Sequence, residues 1–196
     1  MKKILSLTIL MLALFVTACG AEKNSPAADI NTLCKAFLHF DETSLNKVGM
    51  TPADYEKQFI AEFTKGFIQS SGINFSGGQI AKVNDALTDA FKRTEFKTET
   101  LSENENKATV KITVSTFENF DENLVLSKIP ANAAEMSEAE QINAVANALA
   151  AALQDLKIVG NSDFTIDCQY NEQAKMWLPV ELENFGVTLA TKIFTF

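Results

Sequence analysis

The stretch that decides the fold is Ala108–Phe117, which reads ATVKITVSTF. Three apolar residues in it alternate with three polar ones: Val110, Ile112 and Val114 with Thr109, Lys111 and Thr113. Successive side chains of a β-strand point to opposite faces of the sheet. The alternation therefore predicts a strand with one face in the core and the other in water.

Further strands are predicted on both sides of this one. Glu95–Leu101 is the preceding strand, and the polar stretch Ser102–Lys107 joins the two into a hairpin. Downstream, Phe164–Tyr170 has apolar residues in phase, and Lys175–Glu181 follows after a polar turn. These two segments predict a second hairpin. The apolar tail Val187–Phe196 is predicted to be a final strand or a docked segment.

Helices are predicted where apolar residues recur at spacings of three and four. Those before the first hairpin cover Asp29–Phe40, Ser44–Val48, Thr51 to about Gln69, and Ser76 to about Arg93. A longer helix, Ser137 to about Ile158, lies between the two hairpins and is rich in alanine. This order predicts an α+β domain in which N-terminal helices pack on an antiparallel sheet of about four to five strands.

Three of these helices have recognisable start signals. Thr51 precedes a proline at the first helical position, which is typical of an N-cap. Ser76 with Gln79, and Ser137 with Glu140, have the spacing of a capping box. We therefore expect helix N-termini at these three places.

The N-terminus has the pattern of an exported bacterial protein with a lipid anchor. Two lysines at positions 2 and 3 precede Ile4–Val16, an apolar run of thirteen residues, whereas a bilayer-spanning helix needs about 20. Residues 16–20 (VTACG) then resemble the lipobox of bacterial lipoproteins: a branched apolar residue, two small ones and a cysteine. The resemblance implies diacylglycerol on the Cys19 sulfur, cleavage before Cys19, and acylation of the new amino group by a fatty acid such as palmitate.

The lipobox divides the chain into three parts. Residues 1–18 are predicted to be a lipoprotein signal peptide, residues 19–28 a lipidated tether, and residues 29–196 a single domain. Ordinary secretory cleavage after Ala18 is the alternative. With the lipid, the domain is expected on the cell membrane facing out of the cytoplasm. Gly20, in place of an aspartate, favours the outer membrane if the bacterium is diderm.

The charge of the mature chain excludes one class of partner. Residues 19–196 contain 25 acidic and 15 basic residues, a net charge of −10. Nucleic-acid binding depends on basic residues that contact phosphates, so we expect no nucleic-acid partner. Anionic headgroups would repel the domain, and attachment to the membrane must then come from the lipid.

Two cysteines remain beyond Cys19, namely Cys34 and Cys168. An even pair in an oxidising compartment suggests a disulfide. Both also lie on predicted apolar faces, where free cysteines pack as small hydrophobic residues. The sequence leaves both interpretations open.

Four segments of the chain carry a family resemblance: the helical turn Leu45–Gly49, the helix start Met50–Tyr55, the strand Lys107–Ile112 and the strand Lys175–Trp177. They resemble the nuclear transport factor 2-like superfamily, and within it a group of bacterial lipoproteins of unknown function. The resemblance covers most of residues 29–182. It implies a cone, also called a cystatin-like fold, in which helices pack into a curved antiparallel sheet.

A cone of this kind can enclose a ligand. The candidate pocket residues are aromatic side chains on the predicted inner faces: Phe37, Tyr55, Phe59, Phe63, Phe91 and Trp177. The same stripes equally fit a packed core.

Catalytic and metal-binding patterns are missing from the sequence. His39 is the one histidine, and Asp41 lies two residues on, where helical side chains do not face each other. One histidine and two distant cysteines do not have the spacing of a zinc site. No Gly-rich phosphate loop or nucleophile elbow occurs. We therefore expect no enzyme activity, no metal and no cofactor.

Two functions remain. The first is a non-catalytic binding or interaction module for a small apolar ligand, a peptide or a partner protein. The second is an envelope structural protein that self-associates, as a homodimer, through the alanine-rich face of the helix at 137–158, since small residues allow close approach. That face could instead lie under the sheet.

Overall fold

The computed structural model describes residues 23–56, 60–61, 64–65, 68 and 73–194. A π-helical turn, Lys35–His39, continues the first helix, and a 3₁₀ turn, Ala133–Glu135, precedes the longest one. The helices and strands of the described residues are α1 (Pro26–Cys34), α2 (Glu42–Lys47), α3 (Pro52–Tyr55), α4 (Gly77–Lys92), β1 (Phe96–Asn104), β2 (Lys107–Phe117), α5 (Glu122–Leu126), α6 (Glu138–Asp155), β3 (Ile158–Asn171), β4 (Met176–Pro179) and α7 (Leu182–Ile193).

The strands form one antiparallel sheet in the order β1-β2-β3-β4. Ile112 in β2 lies between Thr98 of β1 and Phe164 of β3. The chain leaves the sheet after β2, forms α5 and α6, and returns as β3. The α+β class, and the long helix between two hairpins, are confirmed.

The alternation in β2 places its residues as the sequence predicts. Val110, Ile112 and Val114 are fully buried. On the other face, Lys111 Nζ lies 2.6 Å from Asp163 Oδ2. Thr113 Oγ1 donates a hydrogen bond of 2.7 Å to the other carboxylate oxygen of Asp163. One face of the sheet is therefore core and the other is polar.

Helices α1 and α7 cover the apolar face of the sheet, and α6 packs along α4. The main contact of α6 is thus with α4 and not with the sheet, against which one interpretation of the sequence placed its alanine-rich surface. Ala146, Ala150 and Leu153 of α6 are buried. The core thus continues from the sheet into the pair of helices.

Two elements differ from the sequence prediction. Of the two outcomes predicted for the C-terminal tail, the docked segment is observed and the strand is not: the tail forms part of α7, because Phe185, Leu189 and Ile193 recur every four residues and are all buried. Strand β3 begins at Ile158, six residues before the predicted start, and pairs there with Phe117. Ile158 was predicted as the end of the preceding helix, which stops at Asp155.

The π-helical turn after α1 departs from the regular helix predicted up to Phe40. Phe40 has a left-handed backbone with φ of 56° and ends the turn. In a π-turn the backbone hydrogen bonds join residues i and i+5, so the carbonyls lie at positions different from those in an α-helix, where the bonds join i and i+4. The Phe37 carbonyl accepts a hydrogen bond of 2.8 Å from the buried Tyr55 hydroxyl. The turn therefore links α1 to α3.

Candidate functional site

The predicted aromatic pocket lies partly outside the described residues, because Phe59 and Phe63 are not among them. The other four residues, Phe37, Tyr55, Phe91 and Trp177, are buried in the core. Phe37 and Tyr55 pack edge to face with ring centroids 5.5 Å apart. The structure thus brings two of the candidates together, and the pocket stays a prediction.

The other rings pack with residues that the sequence had not singled out. Phe91 contacts Phe194, with ring centroids 5.4 Å apart. Trp177 contacts Tyr170, with centroids 5.5 Å apart. These edge-to-face pairs are the arrangement that aromatic quadrupoles favour.

Cys34 and Cys168 are free thiols in the structure, and both are buried. Burial raises the pKa of the Cys34 thiol and, with a smaller contribution from the charge of Asp167, raises the pKa of Cys168 to about 12. A thiol with a raised pKa is a poor nucleophile. In this structure both cysteines pack as small core residues. Cys19 lies outside the described residues.

His39 and Asp41 have separate structural roles. His39 Nε2 lies 2.8 Å from the Thr94 carbonyl oxygen, to which it donates, and its ring packs beside Phe96. Asp41 is the N-cap of α2 and accepts a 2.8 Å hydrogen bond from the Ser44 amide. The Ser44 hydroxyl and amide hold the pKa of Asp41 below its usual value. The pair is not arranged as a catalytic dyad.

A buried carboxylate joins the two ends of the domain. Asp29 is 3% exposed. Its Oδ2 accepts a 2.8 Å hydrogen bond from the Trp177 backbone amide, and its Oδ1 accepts one of 2.8 Å from the Asn24 side chain. The Trp177 indole N–H donates to the Asn24 carbonyl over 3.1 Å. Desolvation by burial raises the pKa of Asp29, against the lowering effect of these hydrogen bonds.

Lys23 extends this arrangement to the end of the sheet. Its Nζ lies 4.2 Å from the Trp177 ring centroid and 4.6 Å from that of Tyr170, within the range of cation–π interactions. The same Nζ donates a 2.6 Å hydrogen bond to the Glu105 carbonyl in the β1–β2 turn. We refer to residues 23–29 with their partners Trp177 and Tyr170 as the N-terminal junction.

Strand β1 also holds the junction. The Ala27 amide donates to Thr100 Oγ1 over 3.1 Å, and Thr98 Oγ1 donates to the Ala27 carbonyl over 2.9 Å. Helix α1 begins at Pro26, three residues before the predicted start. Residues 23–28, predicted as part of a tether, are therefore fastened to the sheet. Sequence analysis missed this because polar residues at these positions have no periodicity.

A surface groove of about 390 Å³ lies along α6. Its walls come from α6 and from the segment between α5 and α6: Lys128, Pro130, Met136, Glu140, Asn143, Ala144, Asn147, Ala148 and Ala151. The α6 members recur at spacings of three and four, which places them on one face of the helix. We call this the α6 groove. The one feature of the sequence that indicated this groove was the alanine-rich composition of the helix.

Charged side chains around the α6 groove form ion pairs or hydrogen bonds with other groups of the domain. Lys128 forms an ion pair with Asp155. Lys82 Nζ of α4 donates to Asn147 Oδ1 over 2.6 Å. Arg93 donates to the carbonyls of Leu153 and Leu156 over 2.8 and 2.7 Å. These two carbonyls lie at the C-terminal end of α6, where backbone acceptors have no helical partner.

The α6 groove combines an apolar floor with amide side chains. Asn143 and Asn147 lie one helical turn apart, and each amide can both donate and accept hydrogen bonds. Among the described residues, no group of three or more His, Cys, Asp or Glu side chains is placed to hold a metal ion. In the same part of the chain, no helix combines the length and hydrophobicity that crossing a membrane requires.

Comparison with known proteins identifies a shared fold. No protein-family model matches the chain, and no curated protein matches it significantly. The structure is similar to the crystal structure of "a putative lipoprotein (ycdA) from Bacillus subtilis", with a TM-score of 0.69 and 12% sequence identity. The match covers 87% of this chain and 56% of that one, so this chain spans about half the length of the other protein. At this identity the likeness concerns the fold alone.

Proposed function

We propose that the chain is a membrane-anchored extracytoplasmic lipoprotein whose domain is a non-catalytic binding module. The observation that carries the anchor is the segment VTACG at residues 16–20, directly after a short apolar run. The fold shared with a protein called a lipoprotein supports the proposal. Two or more acyl chains give durable attachment, where a single chain is marginal. The anchored domain faces out of the cytoplasm, on the outer membrane in a diderm bacterium.

The anchor is tested by the intact mass of the protein extracted from membranes. The mature chain is expected to begin at Cys19 and to carry the mass of diacylglycerol plus an acyl group. Cys19→Ser removes the thiol that forms the thioether and is expected to abolish both the added mass and cleavage by the lipoprotein pathway. Gly20→Ala keeps the lipobox and is the matched control. An unmodified mature chain that begins elsewhere would contradict the proposal.

We propose the α6 groove as the binding surface, with an extended peptide segment as its ligand. The alanines leave room for side chains. Asn143 offers a donor and an acceptor to peptide amides, and Asn147 offers its N–H groups, because its Oδ1 accepts from Lys82. Such contacts fix orientation in a cleft whose floor is otherwise apolar. The predicted aromatic pocket remains the second candidate surface, for a small apolar ligand.

The binding proposal is tested by selecting a random-peptide display library on the purified domain. Peptides are expected to bind the wild type, while Ala151→Leu, which fills the groove, abolishes their binding. Ala139→Leu adds the same side chain at an exposed position of α6 outside the groove and is expected to leave binding unchanged. Sedimentation of the domain alone tests the alternative function. A concentration-dependent dimer that Ala151→Leu disrupts would favour self-association over peptide binding.

We also propose that the domain belongs to the nuclear transport factor 2-like superfamily. The order of helices followed by an antiparallel sheet with a helical insertion supports this assignment. A crystal structure tests it: the sheet is expected to curve around α1 and α7 as a cone. A flat sheet, or helices on both of its faces, would contradict the assignment.

A further inference from the structure

The N-terminal junction determines where the domain meets its membrane, an inference that rests on the proposed lipid at Cys19. Lys23 lies only four positions after Cys19 in the sequence. An extended chain spans at most about 3.6 Å per residue, so the two Cα atoms lie within about 14 Å of each other. The lipid-bearing residue must therefore lie close to the structural elements that hold Lys23.

Those elements all lie at one end of the sheet. Lys23 contacts Glu105 in the β1–β2 turn, Tyr170 near the end of β3, and Trp177 at the start of β4. The β3–β4 turn, residues 172–175, lies at the same end. We call this end, with its two turns, the turn end of the sheet. The opposite end contains Phe117, where β2 finishes.

The two ends are far apart compared with the length of the tether. Strand β2 has 11 residues. At about 3.3 Å per residue its ends are separated by about 33 Å, more than twice the reach of the four-residue segment. A domain held at the turn end therefore cannot present the opposite end to the bilayer while the junction stays formed.

The charge distribution agrees with this orientation. Among the described residues, the lysines and glutamates in and beside the two turns are equal in number: Lys23, Lys107 and Lys175 against Glu103, Glu105 and Glu172. The mature chain as a whole has a net charge of −10. Anionic headgroups repel acidic surfaces, and a surface with balanced charges is repelled least.

We propose that the turn end faces the lipid bilayer at close range. The contacts of the junction orient the domain, since they leave no slack between residue 23 and the sheet. The occupant of the turn end is the lipid surface to which Cys19 is anchored.

The test uses full-length lipidated protein in vesicles of phosphatidylethanolamine and phosphatidylglycerol that contain a headgroup nitroxide lipid. A fluorophore is attached at Asn106→Cys in the β1–β2 turn or at Asn119→Cys beyond β2, both exposed positions. We expect several-fold stronger quenching at position 106 than at 119. Equal quenching, or stronger quenching at 119, would overturn the orientation. Gln173→Cys in the second turn provides a second turn-end label should Asn106→Cys fail to fold.

Two controls separate the possible failures. The unsubstituted chain measures labelling of the buried Cys34 and Cys168, which is expected to be low. A 20-residue Gly/Ser insertion before Lys23 gives a flexible segment with a root-mean-square length of about 27 Å, so the difference between positions 106 and 119 should vanish. Intact mass identifies lipid on Cys19 in every sample. Absence of the lipid overturns the lipoprotein proposal. Lipid present with no difference between positions in the chain without the insertion overturns the orientation alone.

Discussion

The N-terminal junction and the α6 groove both combine polar side chains with apolar surroundings, but they differ in where the polar atoms find partners. In the junction, both carboxylate oxygens of Asp29 accept hydrogen bonds inside the protein. In the α6 groove, Asn143 is exposed and faces water. Removing the partner of a buried polar atom lowers the stability of the fold, whereas an exposed polar atom can bond to water instead. The first region therefore stabilises the fold, and the second leaves a polar side chain exposed to solvent.

The two regions also use side-chain size in opposite ways. Trp177, the largest side chain in the core, fills the junction, and Lys23 covers its ring. Ala144, Ala148 and Ala151 leave space along α6. Substitutions should therefore reduce folding stability in the junction and change binding in the groove.

The largest expected effect is that of Trp177→Ala. It removes a fully buried ring and leaves a cavity, so the free energy of unfolding should fall by about 3–5 kcal/mol. Trp177→Phe keeps a ring but loses the hydrogen bond from the indole to Asn24, and should cost clearly less. Denaturant unfolding followed by circular dichroism measures both. A loss below about 1 kcal/mol for Trp177→Ala would mean that the junction does not hold the domain.

Asp29→Ala is expected to come next. It leaves the buried Trp177 amide without its acceptor, which should cost about 1–3 kcal/mol in the same unfolding experiment. Asp85→Ala removes an exposed carboxylate from α4 and is the matched control, for which no loss is expected. If the two variants unfold alike, the buried carboxylate does not stabilise the junction.

The pH dependence of Asp29 gives a second measurement of the same contact. Burial raises the pKa of Asp29 above its ordinary 3.8, so the folded protein binds this proton up to a higher pH than the unfolded chain. The stability contributed by Asp29 is therefore fully present below pH 3.8 and falls as pH rises through the raised pKa. Relative to Asp29→Asn, the wild type should gain stability as pH decreases from 7 towards about 4. A difference that stays constant or shrinks would contradict the raised pKa.

Arg93→Ala should lower the free energy of unfolding by less. Arg93 follows α4 and contacts the C-terminal end of α6, the helix that forms the groove. The guanidinium donates to two carbonyls at the C-terminal end of α6, and its loss should cost about 1–2 kcal/mol. Arg93→Lys keeps the charge but not the forked geometry, and should lie between the alanine variant and the wild type. Thermal unfolding of the three proteins measures the order. Lysine equal to arginine would show that charge alone stabilises this end.

The smallest expected effect on stability is that of Asn143→Ala in the α6 groove. Alanine favours helix over asparagine, so stability should stay within about 0.5 kcal/mol of wild type or rise slightly. Binding of peptides selected on the wild type should nevertheless weaken. A large loss of stability would show that this side chain is structural, and the contrast between the two regions would then fail.

Local signals in the sequence predicted the helix starts and the sheet because their causes lie within a few residues. Ser76 and Gln79 form the predicted capping box, with a 2.8 Å hydrogen bond from the Ser76 amide to Gln79 Oε1. Ser137 and Glu140 do the same at α6, where the Ser137 amide donates over 2.9 Å. The alternation in β2 predicted its buried face for the same reason: the period of a strand is two residues wherever it occurs.

Other features depended on contacts between distant residues, which local patterns do not contain. The tail from Val187 onward predicted a strand or a docked segment but not its helical form, because the helical spacing begins at Phe185 and continues through Leu189 and Ile193. Lys23 and Asn24 resembled a tether because the residues that fasten them to the sheet, Glu105 and Trp177, are more than 80 positions away. The α6 groove depends on how the segment before α6 folds back on the helix, and alanine content alone does not predict that.

The hydrogen bond between Asp29 and Trp177 joins residues 148 positions apart, and this has a consequence for the order of events during synthesis. Chains are made from the N-terminus at about 5–20 residues per second, so Trp177 follows Asp29 by about 7–30 s. Until then, the Asp29 carboxylate has no β4 amide to bind, and α1 has only its contacts with the earlier strands, such as those of Ala27 with β1. The complete N-terminal junction therefore forms only after β4 has been made and has paired with β3.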